Sequence, residues 1–325
     1  MLMIRVPFRV SFFGGGTDYY DYYSVYGGQV LSTAIDKYCY VSMRHLPPYF
    51  EYESQVTYSV IERFNTPQEV RHPLIRAALQ MLPVERIQLA YDADLPARSG
   101  IGSSSSFAVA LLQGLHKMRG ETVDRMTLAK EAIRLERELC AESGGVQDQL
   151  AAAFGGLNLI RMSSETFEVL PVQITESSKQ ILQRNLVLAF TGFTRLSGIV
   201  SQEQQRNIPA RTAVLHEMKA MAEDALHLLE RGRIDDFGRL LHEEWMLKRT
   251  LSSQISTESI DRLYAEMRQA GAYGGKLLGA GSGGYMLLYI PQEQQPQICA
   301  QFPDIRFVPF SFADSGVSTV YESSD

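Results

Sequence analysis

The feature that most constrains this chain is a run of glycines and serines placed between an apolar strand and an apolar helix. The segment reads DLPARSGIGSSSSFAVALLQGLHKM, from Asp94 to Met118. A flexible linker would be flanked by polar, aperiodic sequence, whereas here apolar residues recur at helical spacing directly after the serines. At such a helix N-terminus, free N–H groups and the helix dipole favour an anion, and glycine lets the backbone approach it. Simple capping of the helix by Ser103 or Ser104 is the alternative.

The common nucleotide-binding motifs do not occur in this loop. No lysine follows its glycines, as a Walker A loop requires, and the spacing GxGxxG is absent from it. The nearest imitation, around Gly275 and Lys276, has Ala270 where the upstream glycine belongs and lacks the following serine or threonine. The glycine run 14–16 is weak evidence by itself. If the anion is a phosphate, the loop therefore belongs to another class of phosphate site.

Strand and helix patterns follow one another without regular βα alternation. We expect strands over 2–13, 30–46 and 86–96, helices after the serine loop, over 127–141 and after Asp148, a strand over 185–198 that closes the first half, and helices over 201–270. The segment GGKLLGAGSGGYMLLYI then returns to a glycine-rich turn and a strand. This pattern predicts an α+β fold with two lobes, 1–190 and 191–325.

One glutamate lies on the wrong face of a predicted helix. In TLAKEAIRLERELCAE the apolar residues fall in one arc at helical spacing: Leu128, Ala129, Ala132, Ile133, Leu135, Leu139 and Cys140. Glu136 projects into the middle of this arc. Because a buried carboxylate without a partner is costly, Glu136 should meet either a buried arginine or a metal ion.

A second carboxylate follows in a glycine-rich turn. Asp148, in SGGVQDQLAAAFGG, stands at another helix start, where it is either an N-cap or a carboxylate that acts beside Glu136. The chain thus combines glycine-rich helix starts, a hydroxyl cluster, two carboxylates and an arginine-bearing first strand. Phosphoryl transfer from Mg-ATP requires this set, as an anion cradle, metal ligands, a base and a cation.

On these residues the chain resembles the GHMP kinases, the family of galactokinase, homoserine kinase and mevalonate kinase. Three motifs of the family appear in order: VPFRVSFFGGGTDYYDYY, LPARSGIGSSSSFAVAL and GGKLLGAGSGGYMLLYI. GGGTD replaces the GEHTD of galactokinases, and the strings GGGTD and GGVQDQ are similar to the sugar 1-kinases that act on heptose 7-phosphate, with the fucokinase domain next. Within the third motif, Ser282 stands where a glycine is usual.

The resemblance implies the fold and the nucleotide site. The fold would pair an N-terminal lobe of the ribosomal S5 domain 2 type with a ferredoxin-like C-terminal lobe. ATP would be bound by the second-motif loop, through Pro96, Ser99, Gly100, Ile101, Gly102, Ser103, Ser104 and Ser105. Ser104 and Glu136 match the family's Mg²⁺ ligands, and Asp148 matches its catalytic base. Arg9 matches the basic residue beside that base.

The resemblance also implies the sugar site. Asp18 matches the acid that binds sugar hydroxyls, and Gly15, Gly16, Thr17 and Gly281 are expected beside it. A phosphorylated sugar needs a cation for its own phosphate, and the candidates are Arg195, Lys248, Arg249 and Lys276. Lys248 is preferred, because LKR followed by a serine-rich stretch resembles the heptose kinases.

The implied activity is ATP-dependent phosphorylation of the anomeric hydroxyl of D-glycero-D-manno-heptose 7-phosphate. The product would be the 1,7-bisphosphate, used for nucleotide-activated heptose synthesis. A fucokinase-like or other sugar 1-kinase is the first alternative. A catalytically inactive protein that senses sugar and ATP is the second, and an RNA-binding module of S5-like fold is disfavoured by charge.

Composition limits the partners and the compartment. The 325 residues carry a formal net charge of -6, which argues against binding to a nucleic-acid backbone. The three cysteines have no metal-ligand spacing and are typical of a reduced compartment. We expect the segment MLMIRVPFRVSFFGGG not to be a signal peptide, because Arg5 and Arg9 interrupt its apolar run, and no run of about 20 apolar residues occurs in the sequence. We expect a cytoplasmic protein with ATP and a sugar phosphate as partners, no membrane or nucleic acid, and a homodimer left open.

Overall fold

The computed structural model describes residues 1–192 and 197–323, and of Ser197 the backbone alone. Arg195, a sequence candidate for the sugar phosphate, lies outside the described residues. The strands are β1 Leu2–Phe13, β2 Gly28–His45, β3 Ser54–Thr57, β4 Ile61–Phe64, β5 Ile87–Ala93, β6 Leu157–Met162, β7 Phe167–Pro171, β8 Leu186–Phe190, β9 Gly274–Leu277, β10 Tyr285–Tyr289, β11 Arg306–Val308 and β12 Ser318–Glu322.

The helices follow the same chain order. They are α1 Tyr20–Tyr26, α2 Pro73–Met81, α3 Ser103–Met118, α4 Arg125–Arg134, α5 Gln147–Phe154, α6 Glu176–Asn185, α7 Ser197–Glu230, α8 Ile234–Lys248, α9 Glu258–Ala270 and α10 Gln295–Ala300. Short 3₁₀ turns occur at Pro67–Glu69 and Gln292–Gln294, and a π turn at Leu135–Leu139 extends α4. In the described ranges, no helix has the length and hydropathy needed to cross a bilayer.

The larger sheet has the order β12-β1-β2-β5-β3-β4, and β6 and β7 branch from β2. β2 is long enough to pair with two partners in succession: 28–33 pair with β6 and 39–45 pair with β5. β1 is buried along most of its length because α3, α5, α7 and α8 all contact it. Two polar side chains on this buried strand, Arg9 and Ser11, face the cleft described below.

The smaller sheet has the order β11-β8-β10-β9 and packs against α8. The strand expected over 185–198 is found only over Leu186–Phe190, as β8, because α7 begins at Ser197. It does not close the first half, since it pairs with β10 and β11. The last strand, β12, returns to the larger sheet beside β1. Because the two sheets interleave along the chain, the division into lobes at residue 190 stays a prediction.

The helix expected over 127–141 departs from a regular α-helix near its end. Its backbone widens into the π turn 135–139, where the N–H of Cys140 donates to the carbonyl of Leu135. A π turn inserts an extra residue, so the side chains that follow rotate away from the α-helical register. Leu139, expected in the apolar arc, is consequently 46% exposed, whereas Leu135 and Glu136 point inward.

Candidate active site

A cleft of about 500 Å³ opens between elements of the two sheets. One wall comes from β1, the loop before α3 and the loop before α5, and the other from the ends of α8 and β9 and the loop 278–280. Thirteen of the sequence candidates line it: Arg9, Gly15, Gly16, Asp18, Gly100, Gly102, Ser103, Ser104, Ser105, Glu136, Asp148, Lys248 and Lys276. Residues that are far apart in the chain thus share one solvent-accessible space.

The serine loop enters α3 without any side-chain cap. The N-cap position belongs to Gly102, in the left-handed region at φ 75°, so the alternative of capping by Ser103 or Ser104 is wrong. The first-turn N–H groups are therefore not covered by a capping side chain, and the helix start faces the cleft. A Cβ at Gly100 would lie 2.5 Å from the carbonyl oxygen of Leu278, so only glycine allows this loop to pack on the third-motif loop.

Asp148 and Arg9 form a two-pronged ion pair. Arg9 Nε donates to Asp148 Oδ1 at 2.7 Å and Nη2 donates to Oδ2 at 2.8 Å, while Nη1 donates to the carbonyl of Gly100 at 2.6 Å. Asp148 is the second residue of α5, whose N-cap is Val146, so the N-cap alternative for Asp148 is also wrong. The Asp148 side chain keeps an open edge toward the cleft, with 23% of its surface exposed.

Glu136 is almost fully buried, at 1% exposure, and meets hydroxyl and amide groups rather than a cation. Its Oε2 accepts hydrogen bonds from Ser105 Oγ at 2.7 Å and from the Gln149 side-chain amide. Its Oε1 is buried without a partner. No ion pair of Glu136 occurs within the described ranges, so the buried-arginine alternative is wrong.

The surroundings of Glu136 fit a magnesium ion. A carboxylate oxygen without a partner and the Ser104 hydroxyl on the same cleft are hard oxygen ligands, which Mg²⁺ prefers. No group of three or more His, Cys, Asp or Glu side chains that could hold a metal occurs in the described part of the chain. Magnesium is often held by one or two protein ligands together with substrate phosphates and water, so two donors suffice.

Asp18 is buried and fully hydrogen-bonded. Its Oδ1 accepts from the N–H of Gly16 at 2.9 Å, and its Oδ2 accepts from the Gln147 side-chain amide at 2.9 Å. A Cβ at Gly145 would overlap this carboxylate, which explains why glycine occupies that position. Burial raises the pKa of Asp18, and the nearby charge of Asp148 adds to the shift, while the Gly16 bond opposes it.

Several sequence candidates do not line the cleft, because their groups are used inside the protein. Thr17 Oγ1 donates to the carbonyls of Gly14 and Gln29, and the Ser99 hydroxyl donates to the carbonyl of Pro96. The other candidates that do not line the cleft are Pro96, Ile101, Gly281 and Arg249. Arg249 is paired with Asp261 at 2.7 Å. Direct ligand contact by these side chains is therefore not supported.

A buried charged cluster underlies the cleft. Lys276 Nζ donates to Glu244 at 3.0 Å and to the Phe12 carbonyl at 2.7 Å, and Glu244 also accepts from the N–H of Gly14. Lys248 Nζ donates to the carbonyls of Leu277 and Gly279, both at 2.7 Å. Burial lowers the pKa of Lys248 well below its usual value, and burial raises the pKa of Glu244.

Sequence reasoning missed Gln147, Gln149 and Glu244. The two glutamines flank Asp148 and hold Asp18 and Glu136 in place, and they were detectable as polar residues in an otherwise apolar helix start. Glu244 shares one face of α8 with Leu241, Trp245 and Lys248, at helical spacing. The helical-wheel analysis that identified Glu136 as a polar residue on an apolar face would also have identified Glu244.

The comparisons with known proteins give the family. The model of the GHMP kinases N terminal domain matches residues 69–156, and the GHMP kinases C terminal model matches residues 225–305. The chain therefore belongs to the GHMP kinases. Together with its relatives, this makes it an ATP-dependent sugar kinase.

Three proteins that are similar in sequence or structure show which members of the family this chain resembles. A D-glycero-alpha-D-manno-heptose 7-phosphate kinase of Campylobacter jejuni is 28% identical over 97% of each chain. An L-fucokinase/L-fucose-1-P guanylyltransferase of Bacteroides fragilis is 27% identical over 71% of this chain and 26% of that longer protein. A crystal structure of a D-glycero-D-manno-heptose 1-phosphate kinase from Bacteroides thetaiotaomicron superposes with a TM-score of 0.82 at 23% identity, over 100% of each chain. The expected GHMP kinase fold is confirmed.

Proposed function

We propose that this sugar kinase transfers the γ-phosphoryl group of ATP to the anomeric hydroxyl of D-glycero-D-manno-heptose 7-phosphate, giving the 1,7-bisphosphate. The observation that carries the chemistry is the convergence of Asp148, Glu136 and the uncapped start of α3 on one cleft. The sugar is supported by the 28% identity to the Campylobacter jejuni kinase, which extends over 97% of each chain.

Each group has a part in that transfer. The hydroxyl oxygen attacks the γ-phosphorus, the bond from phosphorus to the bridging oxygen of ADP breaks, and the hydroxyl proton goes to the Asp148 carboxylate. Arg9 orients Asp148 through its two hydrogen bonds and adds positive charge beside the transferred group. Asp18, with both oxygens anchored by Gly16 and Gln147, presents a fixed acceptor for a sugar hydroxyl.

The nucleotide would be held by the loop 96–105, whose helix start provides N–H donors for phosphate. Ser104 and Glu136 would hold Mg²⁺, which neutralises charge on the ATP phosphates. Gln149 and Ser105 keep the Glu136 carboxylate oriented by donating to its Oε2. Thus the protein's own contribution is to position the carboxylate before any metal arrives.

The runner-up is a fucokinase-like sugar 1-kinase, supported by the Bacteroides fragilis relative at 27% identity. The test is turnover of a sugar panel with ATP and Mg²⁺: heptose 7-phosphate, unphosphorylated heptose, L-fucose and D-galactose. We expect the highest kcat/KM with heptose 7-phosphate, and ³¹P NMR should show the new phosphate at the anomeric carbon. Rapid turnover of fucose with none of heptose 7-phosphate would favour the runner-up, and no turnover of any sugar would favour the inactive sensor.

A further inference from the structure

A sugar that already carries a phosphate brings a second anion into the cleft, and this anion needs a cation that is not already engaged. Arginine suits it best, since its planar guanidinium presents paired N–H donors to phosphate oxygens. The described residues of the cleft include five cations: Arg9, Arg98, Arg137, Lys248 and Lys276. They differ in how many donors they have left to offer.

Three of these cations are committed to the protein. Arg9 already donates three hydrogen bonds, two to Asp148 and one to the carbonyl of Gly100. Lys276 is 2% exposed and held by Glu244 and a carbonyl. Lys248, the candidate preferred from sequence, donates to two carbonyls at 2.7 Å. Its surroundings disfavour a charged ammonium, because burial and the charge of Lys276 lower its pKa.

Arg98 and Arg137 remain, and they belong to different ends of the cleft. Arg98 is exposed in the loop that precedes α3, two residues before Gly100, and so belongs with the proposed nucleotide site. Arg137 follows Glu136 in the π turn. It donates one N–H, from Nη1, to the carbonyl of Glu142 at 2.9 Å, and its Nε is buried without a partner. Within the described ranges it forms no ion pair.

The place of Arg137 relative to Asp18 matches a phosphorylated sugar. A Cβ at Gly144 would lie 3.1 to 3.3 Å from three atoms of the Arg137 guanidinium, so that group packs against this glycine. The neighbouring glycine, Gly145, packs in the same way against the Asp18 carboxylate. Because consecutive α-carbons are only about 3.8 Å apart, Asp18 and Arg137 lie within reach of one sugar molecule.

Neutral hydroxyl groups line the same end of the cleft. Tyr19 and Ser201 both contribute to the wall beside Arg137. Burial raises the pKa of the Tyr19 phenol, and the Ser201 side chain lies within hydrogen-bonding reach of it. This end of the cleft therefore combines an incompletely used guanidinium with hydroxyl donors. The Glu142 carboxylate lies there as well, and burial raises its pKa.

We propose that Arg137 binds the distal phosphate of the sugar substrate and thereby selects a phosphorylated sugar over its unphosphorylated form. The inference rests on the proposed function, since it assumes a sugar phosphate as substrate. Asp18 would hold the sugar hydroxyls, and Arg137 would hold the phosphate across the glycine pair 144–145. Arg137 is thus a specificity residue and takes no part in the transfer itself.

The test compares Arg137→Ala with the wild type on heptose 7-phosphate and on unphosphorylated heptose, each with ATP. We expect KM for heptose 7-phosphate to rise about 10- to 100-fold, the loss typical of a charge-assisted hydrogen bond. KM for ATP should stay within about twofold, and the preference for the phosphorylated sugar should fall by the same 10- to 100-fold. Arg137→Lys should restore part of it, because the charge is kept and the paired donors are lost.

Arg134→Ala is the matched control, one turn earlier on the same helix and exposed. It should leave both KM values unchanged. Arg137→Met keeps the apolar stem, so it provides the comparison if the alanine variant does not fold. An unchanged sugar preference in a folded Arg137 variant, or an increase confined to KM for ATP, would overturn the role of Arg137 alone. A wild type that does not phosphorylate heptose 7-phosphate would overturn the proposed function as well.

Discussion

At the scale of single residues, the two acids of the cleft are stabilised in different ways, and this difference fits different tasks. Asp148 faces a permanently charged arginine that contacts both its oxygens. Glu136 has only a hydroxyl and an amide on one oxygen, and nothing on the other. A compensated carboxylate with an open edge suits proton transfer, whereas an uncompensated one is completed by a cation.

Asp148→Asn should remove proton acceptance while keeping the shape of the site. We expect kcat to fall by about 10²-fold or more, as is usual when general-base help is lost. ATP affinity measured by calorimetry should stay close to the wild type. The melting temperature should fall modestly, because the amide oxygen can accept only one of the two Arg9 hydrogen bonds. Asp124→Asn is the control, since Asp124 caps α4 away from the cleft and asparagine caps equally well. Near-normal turnover of Asp148→Asn would remove this residue from the chemistry.

Glu136→Gln should make the metal-free protein more stable and less active. Within the described ranges this buried carboxylate forms no ion pair, so removal of its charge should raise the free energy of unfolding without Mg²⁺ by about 1–2 kcal/mol. Turnover should fall and require more Mg²⁺, because a carboxylate ligand becomes a neutral amide. Urea unfolding and Mg²⁺ titrations of activity measure the two effects, with the exposed Glu138→Gln as control. A variant with wild-type Mg²⁺ dependence would show that Glu136 does not hold the metal.

At the scale of elements, the sequence predicted the strand–loop–helix units correctly and missed one local irregularity, the π turn at the end of α4. The spacing of apolar residues and the local composition were sufficient to predict β1, β2, α3 and α5, because the apolar faces of these elements are continuous. The π turn after α4 was not predictable, since an ideal 100° wheel assumes a constant number of residues per turn. The helical wheel still predicted correctly that Glu136 is buried, because Glu136 lies near the start of the π turn. The same prediction was wrong for Leu139, three residues later.

The third-motif loop contains a serine, Ser282, whose backbone lies in the left-handed region. Ser282 has φ 65°, a conformation that favours glycine, and its hydroxyl donates to the carbonyl of Gln254. Ser282→Ala loses the hydrogen bond and keeps the strain, whereas Ser282→Gly loses the bond but relieves the strain. We expect the glycine variant to be more stable than the alanine variant by about 1 kcal/mol, measured by urea unfolding. Equal stabilities would mean that the loop relaxes out of the left-handed region.

At the scale of the whole molecule, the two sheets interleave in sequence, and this part of the fold lay beyond local patterns. The sequence of β8 is that of an apolar strand whichever sheet it joins, and β12 is short and exposed. Neither sequence therefore indicates the strands with which it pairs. The resemblance predicted that one site lies between the lobes. The structure has a cleft between elements of the two sheets, and its use as that site stays a prediction. The resemblance could not reveal the buried cluster of Glu244 and Lys276, because that pairing depends on contacts between α8, β9 and β1.

This cluster ties the smaller sheet to the end of β1, and a double-mutant cycle measures how strongly. Glu244→Leu leaves a buried lysine unpaired and Lys276→Met leaves a buried carboxylate unpaired, so each should cost about 3–5 kcal/mol of unfolding free energy. The double variant should cost less than the sum by about 1–3 kcal/mol, since it leaves no charge unpaired. The more exposed pair Arg249 and Asp261 is the control and should couple by less than about 1 kcal/mol.

Measurements of sugar turnover separate the effect of the cluster on stability from its effect on the turn that carries Asp18. Glu244 also accepts from the N–H of Gly14, and Lys276 donates to the Phe12 carbonyl, just before the turn that carries Asp18. In the double variant the stability cost should therefore be less than the sum of the two single costs, while the loss in kcat/KM for the sugar should not be reduced, because the turn loses both anchors. If the loss in sugar turnover is reduced together with the stability cost, the cluster only joins the two sheets. If the two single costs simply add, Glu244 and Lys276 act independently and the connection between the sheets lies elsewhere.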